Sequence, residues 1–448
     1  MVSSKEQTLV YGIKLSSVGP GRVTGQNVVH EPTNMDLAMK LHYLRAVYYF
    51  RSEAVEGLTT PRLKEPMFTW LNQFHATCGR FRRSEVESGR PYIKCNDCGV
   101  RIIEAQCVKT LDEYMEMMEE EEEGENGHSL LHKLLVSNQV IGPELPFSPL
   151  VLLQFTMFAC GGMSVGLSWA HVLGDAFSAA DFINVWGQIM AGHQPAQPHK
   201  LAQLRTKIES YPSPLEPSKD PRSVKRVGPV GDHWMVSNHS KMEAFSFHVT
   251  ATQVSQLQSK VFGPNGANQI PVFESLCGVI WKTVAKVRNG PEPKTVTVVK
   301  SDPRGRKTGS LGNGQFISIV EADFSILEAS PKELAELVIH QAMDERRMIE
   351  EVVERDQGLS DLIAYGVNLT FVDLWEANLY GLELKGEKAA NVSYMIDGIG
   401  DEGVVLFLPG PKDDSKDRNG EKVVTVIMPE DQIMVLKSEL KTEFSTYM

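Results

Sequence analysis

The feature that most constrains this chain is a stretch without a single charged residue, which runs from Leu145 to Ala170. Its length exceeds the roughly 20 apolar residues that a membrane-spanning helix needs. Residues that break helices and favour turns nevertheless interrupt it at Pro146, Pro149, Gly161, Gly162 and Gly166. We therefore interpret the stretch as two buried strands, Leu150–Phe158 and Met163–Trp169, joined by a turn at 159–162.

Predicted strands and helices alternate on both sides of this hairpin. Further segments with strand patterns are Val10–Ser16, Thr295–Lys300, Phe316–Val320, Gly403–Leu408 and Lys422–Met428. Met35–Phe50 carries apolar residues at helical spacing and predicts a helix. Ser330, Pro331 and Glu333 form a helix start with a capping box, and a broken apolar stripe continues to about residue 355. A last amphipathic helix follows Pro429. This alternation predicts an α/β or α+β protein.

A proline-rich segment divides the chain into two parts of similar size. Seven prolines fall between residues 194 and 231, where hydrophobic periodicity is absent. Irregular connections of this length are uncommon inside compact domains and often join separate ones. We therefore predict an N-terminal domain at 1–193, a crossover linker at 194–231 and a C-terminal domain at 232–448.

Composition excludes several classes of protein. The formal net charge of -12 lacks the basic footprint of a nucleic-acid-binding protein, and an anionic membrane surface would repel it. Six cysteines spread over 448 residues do not form a disulfide framework. No apolar signal segment opens the sequence, so we expect a reducing compartment such as the cytoplasm.

One histidine is placed for chemistry. His171 directly follows the second predicted buried strand, and Asp175 comes four residues later, before a predicted helix at Ser178–Ile189. A neutral imidazole accepts a proton near physiological pH, which suits a general base that activates a hydroxyl, amine or thiol. The alternative is a buried histidine with a purely structural role. The spacing alone does not decide, because His340 and Asp344 repeat it within a predicted charged helix, where such pairs are ordinary surface chemistry.

Two other motifs are interpreted as turns or loops. Cys95 and Cys98 have the spacing of a metal or redox pair, but no second ligand pair stands at finger spacing, so no metal site is predicted. Gly309–Gly314 is glycine-rich but lacks the Gly-Lys-Ser/Thr ending of a phosphate-binding loop.

The segment Ser168-Trp-Ala-His-Val-Leu-Gly-Asp-Ala-Phe-Ser178 resembles the central motif of the BAHD family of plant acyl-CoA-dependent acyltransferases. The resemblance covers nearly the whole chain. It includes Met35-Asp36-Leu37, Gly79-Arg80, the proline-rich crossover, Asp302-Pro-Arg-Gly-Arg306 with Gly312-Asn313, and the closing strand-strand-helix.

This resemblance implies a fold and a mechanism. The family has two chloramphenicol-acetyltransferase-like domains, each a mixed sheet with flanking helices, that meet at a solvent tunnel. Acyl-CoA enters from one face and the acceptor from the other. Carried over, His171 would be the general base and Asp175 a structural carboxylate beside it. No cofactor is implied, because acyl-CoA is a substrate or ligand.

The chain also departs from the family pattern. Ala176 replaces the glycine that usually follows the aspartate. The second family signature, Asp-Phe-Gly-Trp-Gly, is replaced by Asn378-Leu-Tyr-Gly-Leu382. In the family the aspartate would pair with an arginine, here Arg304 or Arg306, and Asn378 does not supply that charge. One-sided loss of a buried ion pair costs about 3–5 kcal/mol, so we expect a rebuilt neighbourhood.

A kept histidine motif with a lost second signature resembles one branch of the family, the eceriferum/glossy wax proteins of plants. Three segments resemble that branch specifically: Met35–Tyr48, Cys95–Gly99 and Asn368–Phe371. The branch implies partnership with the 3-ketoacyl-CoA synthase of the fatty-acid elongase at the cytosolic face of the endoplasmic reticulum. It implies lengthening of acyl chains past about C28, a size for which an apolar tunnel is the expected binding site. The chain is then a largely non-catalytic partner, and an active O- or N-acyltransferase that uses His171 is the alternative.

Overall fold

The computed structural model describes residues 9–85, 89–123, 129–193, 220–263, 270–302, 311–411 and 421–446. Within these ranges, two large mixed sheets carry most of the strands, and helices pack on them. This arrangement confirms the α/β class. No helix in the described ranges is both long and apolar enough to cross a membrane.

The first sheet is built around the predicted hairpin. In spatial order its strands are β1 (Val10–Val18), β6 (Val100–Cys107), β7 (Val151–Met157), β8 (Met163–Ala170), β3 (Tyr43–Phe50) and β18 (Asn391–Asp397). Strands β7 and β8 pair in antiparallel fashion, as the uncharged stretch predicted. Every residue of β8 and β3 is buried, because both faces of these central strands are covered.

The second sheet uses only strands from the later part of the chain. In spatial order these are β10 (Met242–Val249), β20 (Lys422–Pro429), β19 (Val404–Pro409), β15 (Leu369–Asp373), β11 (Thr295–Ser301), β12 (Gln315–Glu321) and β13 (Met343–Asp344). Strand β15 runs parallel to both β11 and β19. The four strands predicted in this sheet and the strand predicted at Val10–Ser16 are thus confirmed, and their ends agree with the prediction within one or two residues.

Smaller sheets and the helices complete the fold. The short strands are β2 (Val29–His30), β4 (Arg80–Arg83), β5 (Pro91–Lys94), β9 (Lys225–Arg226), β14 (Leu362–Ile363), β16 (Glu383–Leu384) and β17 (Glu387–Lys388). The helices are α1 (Asn34–Ala38), α2 (Ser52–Val55), α3 (Thr60–Gln73), α4 (Leu111–Glu123), α5 (Ser129–Leu135), α6 (Ala176–Met190), α7 (Ala251–Phe262), α8 (Val272–Val287), α9 (Pro331–His340), α10 (Arg346–Arg355) and α11 (Glu430–Thr446).

Two helix predictions were wrong in part. Only Asn34–Ala38 of the predicted helix Met35–Phe50 is helical, and Tyr43–Phe50 is strand β3. A strand buried on both faces shows no polar alternation, so its apolar residues matched helical spacing by coincidence. The stripe after Pro331 is two helices, and His340 ends α9 while Asp344 lies in β13. The second His-x-x-x-Asp pattern therefore does not lie within one helix.

The two halves of the chain share a strand pairing and a hydrophobic cluster. Strand β18 comes from the second half and pairs along its full length with β3 in the first sheet. One hydrophobic cluster joins first-half residues such as Leu44 and Trp169 to Val299 and Val372 of the second sheet. The predicted linker lies outside the described residues from 194 to 219, and its last part holds β9, which pairs with β14. The domain boundaries themselves stay a prediction.

Candidate active site at His171

His171 lies where the chain leaves the first sheet. Strand β8 ends at Ala170, a short 3-10 turn covers His171–Leu173, and Asp175 is the N-cap of α6. Gly174 joins the two with a φ of 150°, and a Cβ there would come within 2.8 Å of the Gly312 amide nitrogen. The connection from His171 to Asp175 therefore packs closely on Gly312, which belongs to the second half of the chain.

The imidazole of His171 contacts groups from both halves. Its side chain is buried, with 1% of the residue exposed. The Nε2 atom lies 3.0 Å from the Tyr365 hydroxyl, and the Gln315 side-chain amide donates to the same hydroxyl at 3.0 Å. The backbone amide of His171 donates to the His42 carbonyl at 3.0 Å. The histidine thus contacts groups from both halves of the chain.

Burial sets the protonation of this cluster. It lowers the pKa of His171 below the usual value, against the opposing pull of the nearby Asp175 carboxylate. It also raises the pKa of the Tyr365 hydroxyl well above its usual value. Near neutral pH the imidazole is therefore neutral and the phenol keeps its proton.

His42 is a second buried histidine beside the first. Its ring lies 4.9 Å from the Tyr365 ring and 6.3 Å from the His171 ring, between centroids. Its Nε2 atom accepts a hydrogen bond from the Ala364 amide at 3.0 Å. Burial, with the nearby His171, lowers the pKa of His42 to about 3. His42 therefore stays neutral and acts as a hydrogen-bond acceptor between the two halves.

Asp175 braces the loops around the imidazole. Its carboxylate accepts from the Ser178 amide at 3.0 Å and from the Gly314 amide at 3.3 Å. Asn313, next to Gly314, donates through its side chain to Asp36 at 2.8 Å and to the His171 carbonyl at 3.0 Å. These contacts fit the structural role that the resemblance implies for Asp175.

Replacing Asp175 by alanine should lower the free energy of unfolding by about 1–2 kcal/mol, because α6 loses its N-cap. Asp175→Asn keeps a capping oxygen and should cost less than Asp175→Ala. Urea denaturation of both variants measures the difference. Ser330→Ala removes the N-cap of α9 and is the control that measures the loss of a helix cap away from the site. Equal losses for the alanine and asparagine variants of Asp175 would refute the capping role.

The segment Asn378–Leu382 packs on α6. The Asn378 carbonyl accepts from the Asn184 side chain at 2.9 Å. A Cβ on Gly381 would lie 2.3 Å from the Asn378 side-chain nitrogen, so a side chain there would displace the amide ends of Asn378 and Asn184. Leu379 and Leu382 are buried in the shared core. Arg304 and Arg306 lie outside the described residues, so the loss of an ion pair between an arginine and position 378 stays a prediction.

The remaining candidates do not converge on this site. Cys95 is buried and Cys98 exposed, and both are free thiols. In the described ranges, no group of three or more His, Cys, Asp and Glu residues could hold a metal ion. Sequence reasoning missed Tyr365, Gln315 and His42. Of these three residues, only His42 lies in a segment that resembles the family. Tyr365 is 194 residues away from His171 in the sequence.

Comparison with known proteins identifies the relatives of this chain. A family model described as "Transferase family" matches residues 32–442. "Protein ECERIFERUM 26" of Arabidopsis thaliana is 42% identical over 435 residues, 96% of this chain and 95% of that protein. "Protein ECERIFERUM 2" of the same plant is 35% identical over 444 residues, 97% of this chain and 99% of that protein.

Solved structures with low sequence identity share the fold. Vinorine synthase superposes with a TM-score of 0.68 at 14% identity and covers 97% of this chain and 98% of its own. F. graminearum TRI101, complexed with coenzyme A and deoxynivalenol, gives a TM-score of 0.69 at 14% identity, with 94% and 99% coverage. These likenesses confirm the fold with two chloramphenicol-acetyltransferase-like domains.

Proposed function

Because the chain belongs to the BAHD transferase family, in its eceriferum branch, we propose that it is an accessory protein of the fatty-acid elongase. It binds the 3-ketoacyl-CoA synthase at the cytosolic face of the endoplasmic reticulum. It promotes elongation of acyl-CoA past about C28, toward cuticular wax precursors, and does not need to transfer the acyl group itself. Each buried CH₂ is worth about 0.8 kcal/mol, so a chain of that length gains much from a protein surface that shields it.

The closed environment of His171 is the observation that carries this proposal. A general base must reach the proton that it abstracts, directly or through one water. Here the imidazole belongs to a residue that is 1% exposed, and its Nε2 atom is already hydrogen-bonded to Tyr365. A base in this state is not available to an incoming acceptor.

The loop at 378–382 supports the same conclusion. Asn378 is neutral where the family signature carries a carboxylate, and its backbone carbonyl accepts from Asn184 of α6. Gly381 packs closely on the side chains of Asn378 and Asn184. The loop is therefore a neutral, packed element, which fits a protein that does not need acyl transfer.

Acyl-CoA is the ligand that we assign to the protein. The related fold of TRI101 was solved with coenzyme A, and the relatives of this chain belong to the acyl-CoA-dependent family. An elongase accessory protein needs to hold the acyl chain and need not cleave its thioester.

Co-expression in yeast tests the proposed function. The 3-ketoacyl-CoA synthase is expressed alone or together with this chain, and the acyl chain lengths are measured by gas chromatography. We expect products longer than about C28 only, or mainly, when both proteins are present, because the accessory protein then shields the longer acyl chain. An unchanged length distribution, with both proteins present at normal levels, would contradict the proposal.

The second candidate is an acyl-CoA-dependent O- or N-acyltransferase. The neutral state of His171 favours it, because burial lowers the pKa of the imidazole and leaves it in the form that a base requires. Purified protein incubated with long-chain acyl-CoA and a panel of alcohols and amines should then release CoA. The accessory function predicts no release above background.

A further inference from the structure

On the accessory function proposed above, we infer that Tyr365, oriented by Gln315, is the positioning residue that keeps His171 from acting as a general base. Within the described ranges, the Tyr365 hydroxyl contacts His171 and no other residue of the histidine motif. Tyr365 lies in the second half of the chain. It therefore controls the histidine without belonging to the histidine motif.

The hydrogen-bond inventory fixes where the phenolic proton goes. The side-chain nitrogen of Gln315 only donates, and it lies 3.0 Å from the Tyr365 oxygen, so it occupies an acceptor site of that oxygen. The proton of the hydroxyl then has two acceptors in reach, His171 Nε2 at 3.0 Å and Gln315 Oε1 at 3.3 Å. The His171 nitrogen is the closer of the two acceptors. Gln315 contacts the hydroxyl at the shorter distance through its amide nitrogen.

A proton donated to Nε2 occupies the lone pair that a base would use. The neutral imidazole has one acceptor nitrogen, so its hydrogen must be on Nδ1 when Nε2 accepts from Tyr365. No partner of Nδ1 in the described ranges meets full hydrogen-bond geometry, and the groups that lie near the ring are the His171 carbonyl and the Asn313 side chain. The histidine is therefore held in one tautomer with its acceptor atom filled.

The surroundings prevent Tyr365 from moving away easily. The residue is 1% exposed, Gln315 is 5% exposed, and the Tyr365 ring packs edge-on against His42. The Tyr365 carbonyl also accepts from the Gly400 amide at 2.8 Å, which ties its backbone to the loop after β18. A close-packed site of this kind holds one arrangement.

Removing the hydroxyl should release the base. In the freed site His171 Nε2 takes the proton of a water or alcohol, whose oxygen forms a bond to the thioester carbonyl carbon. The C–S bond breaks, and the proton passes from the imidazole to the leaving sulfur. The products are CoA thiol and a carboxylic acid, or an ester when an alcohol attacks, and no further reactant is required.

The test uses purified full-length protein with palmitoyl-CoA, with and without a primary alcohol, and measures CoA thiol release with a thiol reagent. We expect Tyr365→Phe to release CoA about tenfold faster than the parent chain, the factor that one neutral hydrogen bond is worth. Adding His171→Ala to Tyr365→Phe should return the rate to that of the parent. A merely structural tyrosine would give a loss, and not a gain that depends on His171.

Tyr394→Phe is the matched control. Tyr394 is equally buried, in β18, and its hydroxyl has no hydrogen-bond partner in the described part of the chain. This variant should release CoA at the rate of the parent. Tyr365→Ser, which also removes the ring, is a second variant and should exceed Tyr365→Phe if it folds.

A Tyr365→Phe rate equal to or below that of the parent overturns the inference, and so does a gain that survives His171→Ala. These outcomes are separate from the elongation assay. The accessory function fails when co-expression leaves chain lengths unchanged, whereas the role of Tyr365 is decided by thiol release from the purified protein alone.

Discussion

Replacement of Lys40 by alanine is expected to lower the free energy of unfolding by about 3–5 kcal/mol, because it leaves a buried carboxylate without its counter-charge. Lys40 Nζ lies 2.9 Å from Asp361 Oδ1, and the two side chains are 1% and 8% exposed. The same Nζ also donates to the Gly358 carbonyl at 3.3 Å. A loss of this size is a large share of the 5–15 kcal/mol that ordinary domains possess.

This ion pair joins three parts of the chain near the site. Lys40 follows α1, Asp361 precedes β14, and the second oxygen of Asp361 accepts from the Val230 amide at 2.8 Å. Urea denaturation measures the loss. Lys40→Met keeps most of the packing and should cost nearly as much as Lys40→Ala, whereas Lys40→Met with Asp361→Asn should recover much of the stability.

An exposed lysine provides the control for this series. Lys332 pairs with Glu336 on the surface of α9, and their side chains are 44% and 47% exposed. Lys332→Ala should change the free energy of unfolding by less than about 0.5 kcal/mol. A Lys40→Ala loss as small as this would show that the buried pair does not hold the two halves together.

Gly398→Ala should lower the free energy of unfolding by about 2–5 kcal/mol, the sum of a left-handed backbone penalty and an overpacked contact. Gly398 follows β18 and has a φ of 79°. A Cβ there would lie 2.1 Å from the Leu41 carbonyl oxygen, which is backbone and has little freedom to move. The clash falls beside His42, so the variant should also disturb the junction at the site.

Gly386 separates the two causes. It has nearly the same backbone conformation, with a φ of 84°, but a Cβ there meets nothing within 4 Å. Gly386→Ala should therefore cost only the backbone penalty, about 1–2 kcal/mol. Equal losses for the two variants in thermal or urea unfolding would show that the contact with Leu41 contributes nothing.

The sequence predicted those elements that depend on local pattern. The hairpin of β7 and β8 followed from an uncharged stretch with turn residues in its middle, and the capping box of Ser330 began α9 as expected. His171 was found because it directly follows a strand whose burial the pattern already indicated. The N-cap role of Asp175 was not predicted, because the helix was expected to begin at Ser178 and it begins at Ala176.

Contacts between distant segments could not be predicted in this way. Tyr365 meets His171 across 194 residues, and nothing in the sequence around either residue specifies the pairing. Strand β18 joins the first sheet, although β15 before it and β19 after it lie in the second sheet. Strand β3 was taken for a helix because burial on both faces removes the alternation that identifies a strand. These features arise from tertiary packing and carry no local signature.

The most direct test of the central claim is the yeast elongation assay with His171→Ala in place of the parent chain. His171→Gln, whose side-chain oxygen can accept from Tyr365, is run beside it, and immunoblotting confirms equal protein levels. We predict that both variants keep most of the added chain length, because the imidazole does no chemistry in this role. Complete loss of the longest products, at unchanged protein level, would contradict the account and favour an acyl-transfer mechanism.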